Sequence, residues 1–398
     1  MNSAENRQKR TRDRKERFLL ILSCSGGAGH LRAAEALHRT APLSGLPIRT
    51  EHYDVLDFTS KLFKRLYSGS YLQMVNRAPE LWGYLYQHSE AKAYEKKGLL
   101  KAFDRMNYKR YLAALKALDP DAILCTHFLP YISVSGDLRR HGITCPIFAV
   151  TTDFDLHQLW VDEIVQRYFV FHEETAWQLH AKGVAKERIS VTGIPVMPEF
   201  IRRRPLRFAS AFRFERKPFT VLILSGGFGV GRVENIVHTV AQTLGEFSSR
   251  QFTLLIVCGK NEKAKANLEK SLFPQNIAAR CFGFVNNVHE LMHSADLLIS
   301  KSGGLTSSEA LTSSLPMLIV DPIPGQESRN ADILVEYGAG WKAINLPNLA
   351  FKLRRILEHP EVLRRARRAT TTLAKPFAAQ TILQQCYTFV EQSSGVRS

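Results

Sequence analysis

The chain writes the same opening twice, about 200 residues apart. Phe18-Leu19-Leu20-Ile21-Leu22 is an unbroken apolar run. It leads into Ser25-Gly26-Gly27-Ala28-Gly29-His30, after which Leu31, Ala34 and Leu37 recur at helical spacing. Phe219-Thr220-Val221-Leu222-Ile223-Leu224 leads into Ser225-Gly226-Gly227-Phe228-Gly229-Val230-Gly231, with a second helical pattern behind it. A short run with no polar face suits a strand buried on both sides of a parallel sheet, and the glycines let the chain turn into a crossover helix. Two such openings predict an α/β chain of two βαβ domains with like ground plans. At 398 residues the chain is also too long for one ordinary core.

Further strands are predicted at Ile48–Tyr53, Ala122–Cys125, Ile147–Thr151, Arg167–Val170 and Ile189–Val191 in the first half. In the second half they fall at Thr253–Cys258, Arg280–Phe282, Leu297–Ser300 and Met317–Val320. The expected organisation is a basic disordered tail over 1–16, a first domain over 17–200 and a linker over 201–217. A second domain over 218–375 follows, then a helix over 376–398 that packs back on the first domain. Lys61–Tyr94 breaks the rhythm. There Leu62, Phe63, Tyr67, Tyr71, Trp82 and Tyr86 alternate with Lys61, Lys64, Arg65 and Arg77, a mixture that suits either a bilayer interface or a core-facing helix.

The formal charge is +17 and it is concentrated. Arg7–Arg17, Arg202–Lys217 and Lys352–Arg368 each carry seven basic residues against one or two acidic ones. Such segments read as solvated faces, as sites for anionic lipid or as sites for nucleic acid. The absence of any motif with interleaved aromatics of the RNA- or DNA-binding kind argues against nucleic acid as a partner. No apolar run approaches the roughly 20 residues that span a bilayer. Phe18–Cys24 is too short for a signal segment and reads as a buried strand. Six cysteines lie scattered without a close pair, which suggests neither a zinc site nor a disulfide framework. A cytoplasmic location is expected.

The glycine loops are not dinucleotide fingerprints. Gly27 and Gly29 are followed at the third glycine position by Arg32, and Gly227 and Gly229 by Arg232. No Walker lysine follows either loop. The stronger signal is Ser300-Lys301-Ser302-Gly303-Gly304-Leu305-Thr306-Ser307-Ser308-Glu309-Ala310-Leu311, a strand end, a two-glycine turn and a helix opening. Backbone N–H groups and the helix dipole at such an opening attract phosphate oxygens. Glu309, one turn in, suits a ribose diol, and Gln326-Glu327 suit sugar hydroxyls. Gly226 and Gly227 allow close approach to a diphosphate and a sugar ring. Phe284, beyond the strand end at Phe282, is either a platform for uracil or an ordinary buried phenylalanine. Together these residues imply a nucleotide-sugar site.

His30, at a helix start behind glycines, is the candidate general base, because a helix N-terminus disfavours the imidazolium. Asp54 or Asp153 would assist it. Asp153-Phe154-Asp155 with His157 fits either a metal pair or the lining of the cleft. The helix opening at Gly303-Gly304 already serves the phosphates, so no metal is expected.

Ser25-Gly26-Gly27-Ala28-Gly29-His30 with Ala33-Ala34-Glu35-Ala36-Leu37 resembles the N-terminal signature of the monogalactosyldiacylglycerol synthases and processive diacylglycerol glucosyltransferases. Thr152-Asp153-Phe154, His157 and Trp160 resemble the mid-chain segment of that family. Ser302-Gly303-Gly304-Leu305-Thr306, Glu309-Ala310-Leu311 and Pro322-Ile323-Pro324-Gly325-Gln326-Glu327 with Asn330-Ala331 resemble its donor signature. The resemblance implies a GT-B fold, two facing Rossmann-like domains around a cleft. It also implies an inverting, metal-independent enzyme without cofactor, peripheral on the inner face of the cell membrane, that moves glucose or galactose from a UDP-sugar to diacylglycerol. His30 would be the base or an acceptor-site residue. Ser302 to Thr306, including Leu305, would meet the phosphates and Glu309 the ribose, while Gln326 and Glu327 would meet the sugar, with Asn330 beside them. Gly29, His157 and Trp160 would lie on the acceptor side. A different lipid acceptor, polyprenyl-linked or glycolipid, stays open, as does a non-catalytic regulator that binds nucleotide sugars.

Overall fold

The computed structural model describes residues 16–25, 27–60, 64, 109–135, 138–202, 218–225 and 233–395. The basic tail, nearly all of Lys61–Tyr94, most of the linker and both Gly226 and Gly227 lie outside the described residues.

Each half builds a parallel sheet of six strands. The first contains β1 (Arg17–Ser23), β2 (Ile48–Asp54), β3 (Ala122–Cys125), β4 (Ile147–Val150), β5 (Val165–Val170) and β6 (Ile189–Val191), in the order β2-β1-β3-β4-β5-β6. The second contains β7 (Phe219–Leu224), β8 (Phe252–Val257), β9 (Ile277–Phe282), β10 (Leu297–Ser300), β11 (Met317–Ile319) and β12 (Gly340–Lys342), in the order β12-β11-β10-β7-β8-β9. The apolar runs explain the placement: every residue of β8 and β10 is buried, as is β1 beyond Arg17. Nearly all predicted strands fall within a few residues of these bounds. The short edge strand β12, in which a glycine and a lysine flank Trp341, was not predicted.

Both sheets reverse direction beside their first strand, between β1 and β3 in one and between β7 and β10 in the other. In open parallel sheets ligands bind at the carboxyl ends of strands where the order reverses. The first switch point is flanked by Ser25, by Gly27–Gly29 and by Thr126-His127, the second by Ser300–Gly304.

Among the described residues the sheets are covered by helices that include α1 (Ala28–Thr40), α2 (Glu173–Ala181), α3 (Val233–Gly245), α4 (Glu262–Glu269), α5 (Val288–Ser294), α6 (Gly304–Thr312), α7 (Gln326–Glu336), α8 (Leu346–Glu358), α9 (Pro360–Leu373) and α10 (Ala378–Gly395). Residues 109–118 are helical as well, with Tyr111, Leu112 and Leu115 in the first-domain core, and short helical turns complete the described chain. The last helix, α10, lies on the first sheet, where Ile382, Leu383, Cys386 and Val390 share one core with Leu19, Ile21, Phe148 and Phe169. Gln385 accepts from Arg167 and Ser190 at 3.0 and 2.8 Å, which fixes its register. The outgoing chain at Gly193 meets the returning chain at Lys375. Gly193 has φ +90°, and a Cβ there would stand 2.3 Å from Lys375 Cβ, so only glycine fits.

The two sheets share a core of their own. Phe154, Phe171, Ile194 and Phe200 of the first half pack with Leu222, Leu298, Leu305 and Leu311 of the second. Phe154 and Phe171 stack in parallel with their centroids 3.6 Å apart. Helices α1 and α6, which follow the two glycine turns, touch one another.

Candidate active site

His30 sits in the first turn of α1 and is half-buried. Its Nδ1 lies 2.9 Å from the Thr126 carbonyl oxygen and 2.8 Å from Thr152 Oγ1. A carbonyl only accepts, so Nδ1 carries the proton and Nε2 keeps its lone pair. Thr126 reciprocates, its hydroxyl donating to the His30 carbonyl at 2.9 Å. Burial pushes the imidazole down to about 4, against the smaller upward pull of the Thr126 carbonyl. Near neutral pH the ring is therefore uncharged with Nε2 open to a proton, the state a general base needs.

A second histidine stands against it. The His127 ring meets His30 edge-on with centroids 4.5 Å apart, and Phe128 and Trp160 close the same aromatic wall. Leu129 N–H donates to His127 Nδ1 at 3.0 Å, which leaves the His127 proton on Nε2. Burial, with His30 adding to it, holds His127 well below its ordinary value. The sequence reading missed Thr126-His127. The available signal was position, immediately after β3 at the switch point of the sheet.

Neither aspartate assists His30 directly, which corrects that expectation. Asp54 accepts from Ser25 N–H at 3.2 Å and Leu56 N–H at 3.1 Å, and its other oxygen faces Lys64 Nζ at 3.3 Å. It ties the glycine loop to the end of β2. Asp153 points across the cleft and accepts from Gln326 Nε2 at 3.2 Å and Asn330 Nδ2 at 3.1 Å. Burial raises its carboxyl to about 6, with the Asn330 hydrogen bond pulling the other way. Asp155 pairs with Arg329. Both halves of the Asp-x-Asp motif are thus engaged by the opening of α7, which gives them an interdomain role.

On the second domain, α6 opens at Gly304 with Gly303 as its N-cap and no side-chain cap among the described residues. Gly304 packs directly beneath the loop after β4. A Cβ on it would lie 2.1 Å from the Thr152 carbonyl oxygen and 3.0 Å from Asp153 Cα. Gly29 faces the same junction, where an added Cβ would stand 3.9 Å from Leu305 Cβ. Leu305 belongs to the shared core, and Thr306 stays half-buried beside it. The helix that carries His30 and the helix that opens at Gly304 thus meet within one turn of their starts.

Ser302, Glu327 and Asn330 are tied into the loop by hydrogen bonds. Ser302 Oγ donates to the Glu327 carbonyl at 2.6 Å, and Glu327 Oε2 accepts from Ile323 N–H at 2.7 Å. Burial raises the Glu327 carboxyl. Asn330 donates to Asp153 and, at 3.0 Å, to the Ser302 carbonyl, and accepts from Phe154 N–H at 2.8 Å. Glu309 is buried and faces Arg32 NH2 of α1 at 3.8 Å. Burial lifts its carboxyl to about 7, the guanidinium opposing. Phe284 is 62% exposed beyond β9. A buried phenylalanine is excluded there, and the ring is available as a platform.

His157 and Trp160 are buried beneath the first-domain side. His157 Nδ1 accepts from Leu159 N–H at 3.2 Å, and the Trp160 carbonyl accepts from Tyr131 at 2.8 Å. Trp160 reaches the site only as part of the wall around His127.

This architecture has relatives. Residues 30–196 match the model of the monogalactosyldiacylglycerol (MGDG) synthase family, and residues 220–382 match the glycosyltransferase family 28 C-terminal domain. A processive diacylglycerol beta-glucosyltransferase of Bacillus cereus (strain B4264) is 32% identical over 331 residues, 81% of this chain and 80% of the relative. One of Bacillus cytotoxicus is 28% identical over 374 residues, 92% of each chain. The fold is shared with Acinetobacter baumannii MurG, at a TM-score of 0.60 and 15% identity, covering 94% of this chain and 99% of that one. It is shared too with S. aureus MnaA in its UDP co-structure, at 0.62 and 13%, covering 94% and 97%. Both halves and the whole length lead to one place: the chain is a GT-B glycosyltransferase and belongs to the family of monogalactosyldiacylglycerol synthases and processive diacylglycerol beta-glucosyltransferases.

Proposed function

We propose that the enzyme transfers a hexose from a UDP-sugar to the hydroxyl of diacylglycerol with inversion, giving a β-linked glycolipid. The observation that carries this reading is the meeting of α1 and α6. It sets a neutral histidine with a free Nε2 beside a glycine-opened helix start in one cleft. Nε2 of His30 takes the proton of the lipid hydroxyl as its oxygen attacks the anomeric carbon from the face opposite UDP. The bond to UDP breaks, and the N–H groups at the start of α6 hold the charge that grows on the diphosphate. Fixed dipoles of this kind are worth about 3–4 kcal/mol per key donor. Glu309 takes the ribose, Phe284 the uracil, and Gln326 and Glu327 the hexose. The diphosphate is given to α6 and no metal is assigned, because Asp153 and Asp155 are already held by α7.

The reading places the enzyme on the cytoplasmic face of the cell membrane. Among the described residues no helix is long and apolar enough to cross a membrane. Arg354, Arg355, Arg364, Arg365 and Arg368 of α8 and α9 are exposed, as anionic headgroups would require. The deciding experiment incubates the protein with UDP-glucose or UDP-galactose and diacylglycerol and follows the lipid by mass spectrometry. A mass gain of one or more hexoses supports the assignment. Folded protein that neither binds UDP nor modifies the lipid rules it out.

A further inference from the structure

We propose that Asp153 is a positioning residue: gripped by Gln326 and Asn330 of the donor domain, it carries the neighbouring Thr152 hydroxyl against His30 and so registers the base over the donor. The inference rests on the reading of His30 as the acceptor base.

The chain of contacts is continuous. Ser302, beside the phosphate-facing turn, gives its carbonyl to Asn330 Nδ2 at 3.0 Å. The same amide donates to Asp153 Oδ1 at 3.1 Å, and its oxygen accepts from Phe154 N–H at 2.8 Å. Asn330 is fully buried. Its amide orientation is set by these partners, because the Phe154 N–H can only donate and the Ser302 carbonyl can only accept. Gln326 holds the other Asp153 oxygen at 3.2 Å. One residue earlier, Thr152 Oγ1 lies 2.8 Å from His30 Nδ1.

Packing leaves the loop little freedom to respond in any other way. Gly304 presses on the Thr152 carbonyl from the donor side, and the Phe154 ring is stacked on Phe171 below. Arg329 holds Asp155 at the far end. A shift of α7 therefore moves Thr152, and Thr152 turns the imidazole about its Thr126 hydrogen bond. A misplacement near 1 Å can lower a rate about a hundredfold, so a contact of this kind is worth holding. The Asp-x-Asp motif thus acts through His30 and does not touch the reacting atoms.

The test compares Thr152→Val, Thr152→Ser and Asp153→Asn, singly and with Thr152→Val combined with Asp153→Asn. All are close in size to the native residue. Full-length protein is assayed for kcat, for UDP affinity by calorimetry and for melting temperature. We expect Thr152→Val and Asp153→Asn each to lower kcat about tenfold or more, with UDP affinity and melting temperature close to the parent. Thr152→Ser, which keeps the hydroxyl, should retain most of kcat. The double variant should be no slower than the slower single one, because both changes act through one loop. Multiplicative losses, a Thr152→Val enzyme at parental kcat, or a serine variant as slow as the valine one would each overturn the inference. His30→Ala separates the two readings. If it turns over normally, the base assignment fails. If it is inactive while the loop variants combine multiplicatively, only the positioning role fails.

Discussion

Arg32 of α1 and Glu309 of α6 face each other across the cleft at 3.8 Å, so the buried carboxylate of one domain is set against a cation from the helix that carries His30 in the other. The pair explains why an arginine stands where a dinucleotide fingerprint would need a glycine. The site uses that position for a charge aimed at the opposite domain, while Gly29 provides the close approach.

Glu309 is raised to about 7 by burial, so it is half-protonated near neutrality and accepts best above that pH. The KM for the UDP-sugar should therefore rise as pH falls through about 7. Arg32→Met removes the opposing charge, so the inflection should move to higher pH and KM at neutral pH should rise roughly tenfold, the value of one hydrogen bond to a charged group. Initial rates against donor concentration at several pH values check both. For stability the sign is that of a raised acid: the contribution is full below the usual glutamate range and is lost as pH climbs toward 7. Glu309→Gln should flatten that part of the melting-temperature profile.

His30 shows the opposite sign. With its folded value near 4, the ring stays neutral through the range in which an ordinary histidine titrates. At saturating donor the rate should show no acid limb from this base near pH 6.5, and protonation of His30 should lower it only as pH approaches about 4. The stability it contributes is complete above its unfolded value and is lost as pH falls from there toward 4. His30→Ala should reduce transfer by about a hundredfold or more, the range removed with a general base, and leave UDP binding within about twofold by calorimetry.

Gly304→Ala would place a methyl 2.1 Å from the Thr152 carbonyl, which belongs to the backbone and cannot rotate away. The domains must then separate slightly at the junction of α1 and α6. A fall of about a hundredfold in kcat/KM is expected, together with a lower melting temperature, because the separation opens the core that Phe154 and Leu305 share across the two sheets. Steady-state kinetics and calorimetry on the variant check this.

Reversing Arg364, Arg365 and Arg368 to glutamate should weaken co-sedimentation with vesicles that contain anionic lipid and leave sedimentation with neutral vesicles unchanged. Each basic residue near an anionic surface is worth about 1 kcal/mol, so the shift should be large and should shrink with added salt. Rates with detergent-dispersed acceptor should stay near the parent.

The architecture was legible because its information is local. A run such as Phe252–Val257 can hardly be anything other than a buried strand, and a two-glycine turn before Leu305 announces a helix start. The edge strand β12 was illegible for the same reason: three residues, Gly-Trp-Lys, carry no period. At the site, residue types were visible but their partners were not. Asp153 reads as a carboxylate near a catalytic histidine, yet its oxygens go to Gln326 and Asn330, more than 170 positions away. Thr126-His127 has no motif at all and gains meaning only when β3 is placed beside β1. Phe284 was undecided because exposure at a strand end depends on what the rest of the fold covers.

The contact between Gly193 and Lys375 makes the donor half an insertion, since the chain leaves the first sheet and rejoins it at a single point. Both ends of the inserted unit lie side by side, so excising it would leave a gap that a short bridge can close. Donor units from relatives that keep Gly304, Gln326 and Asn330 can then be exchanged as cassettes on one first domain, and sugar preference can be read in the chimaeras.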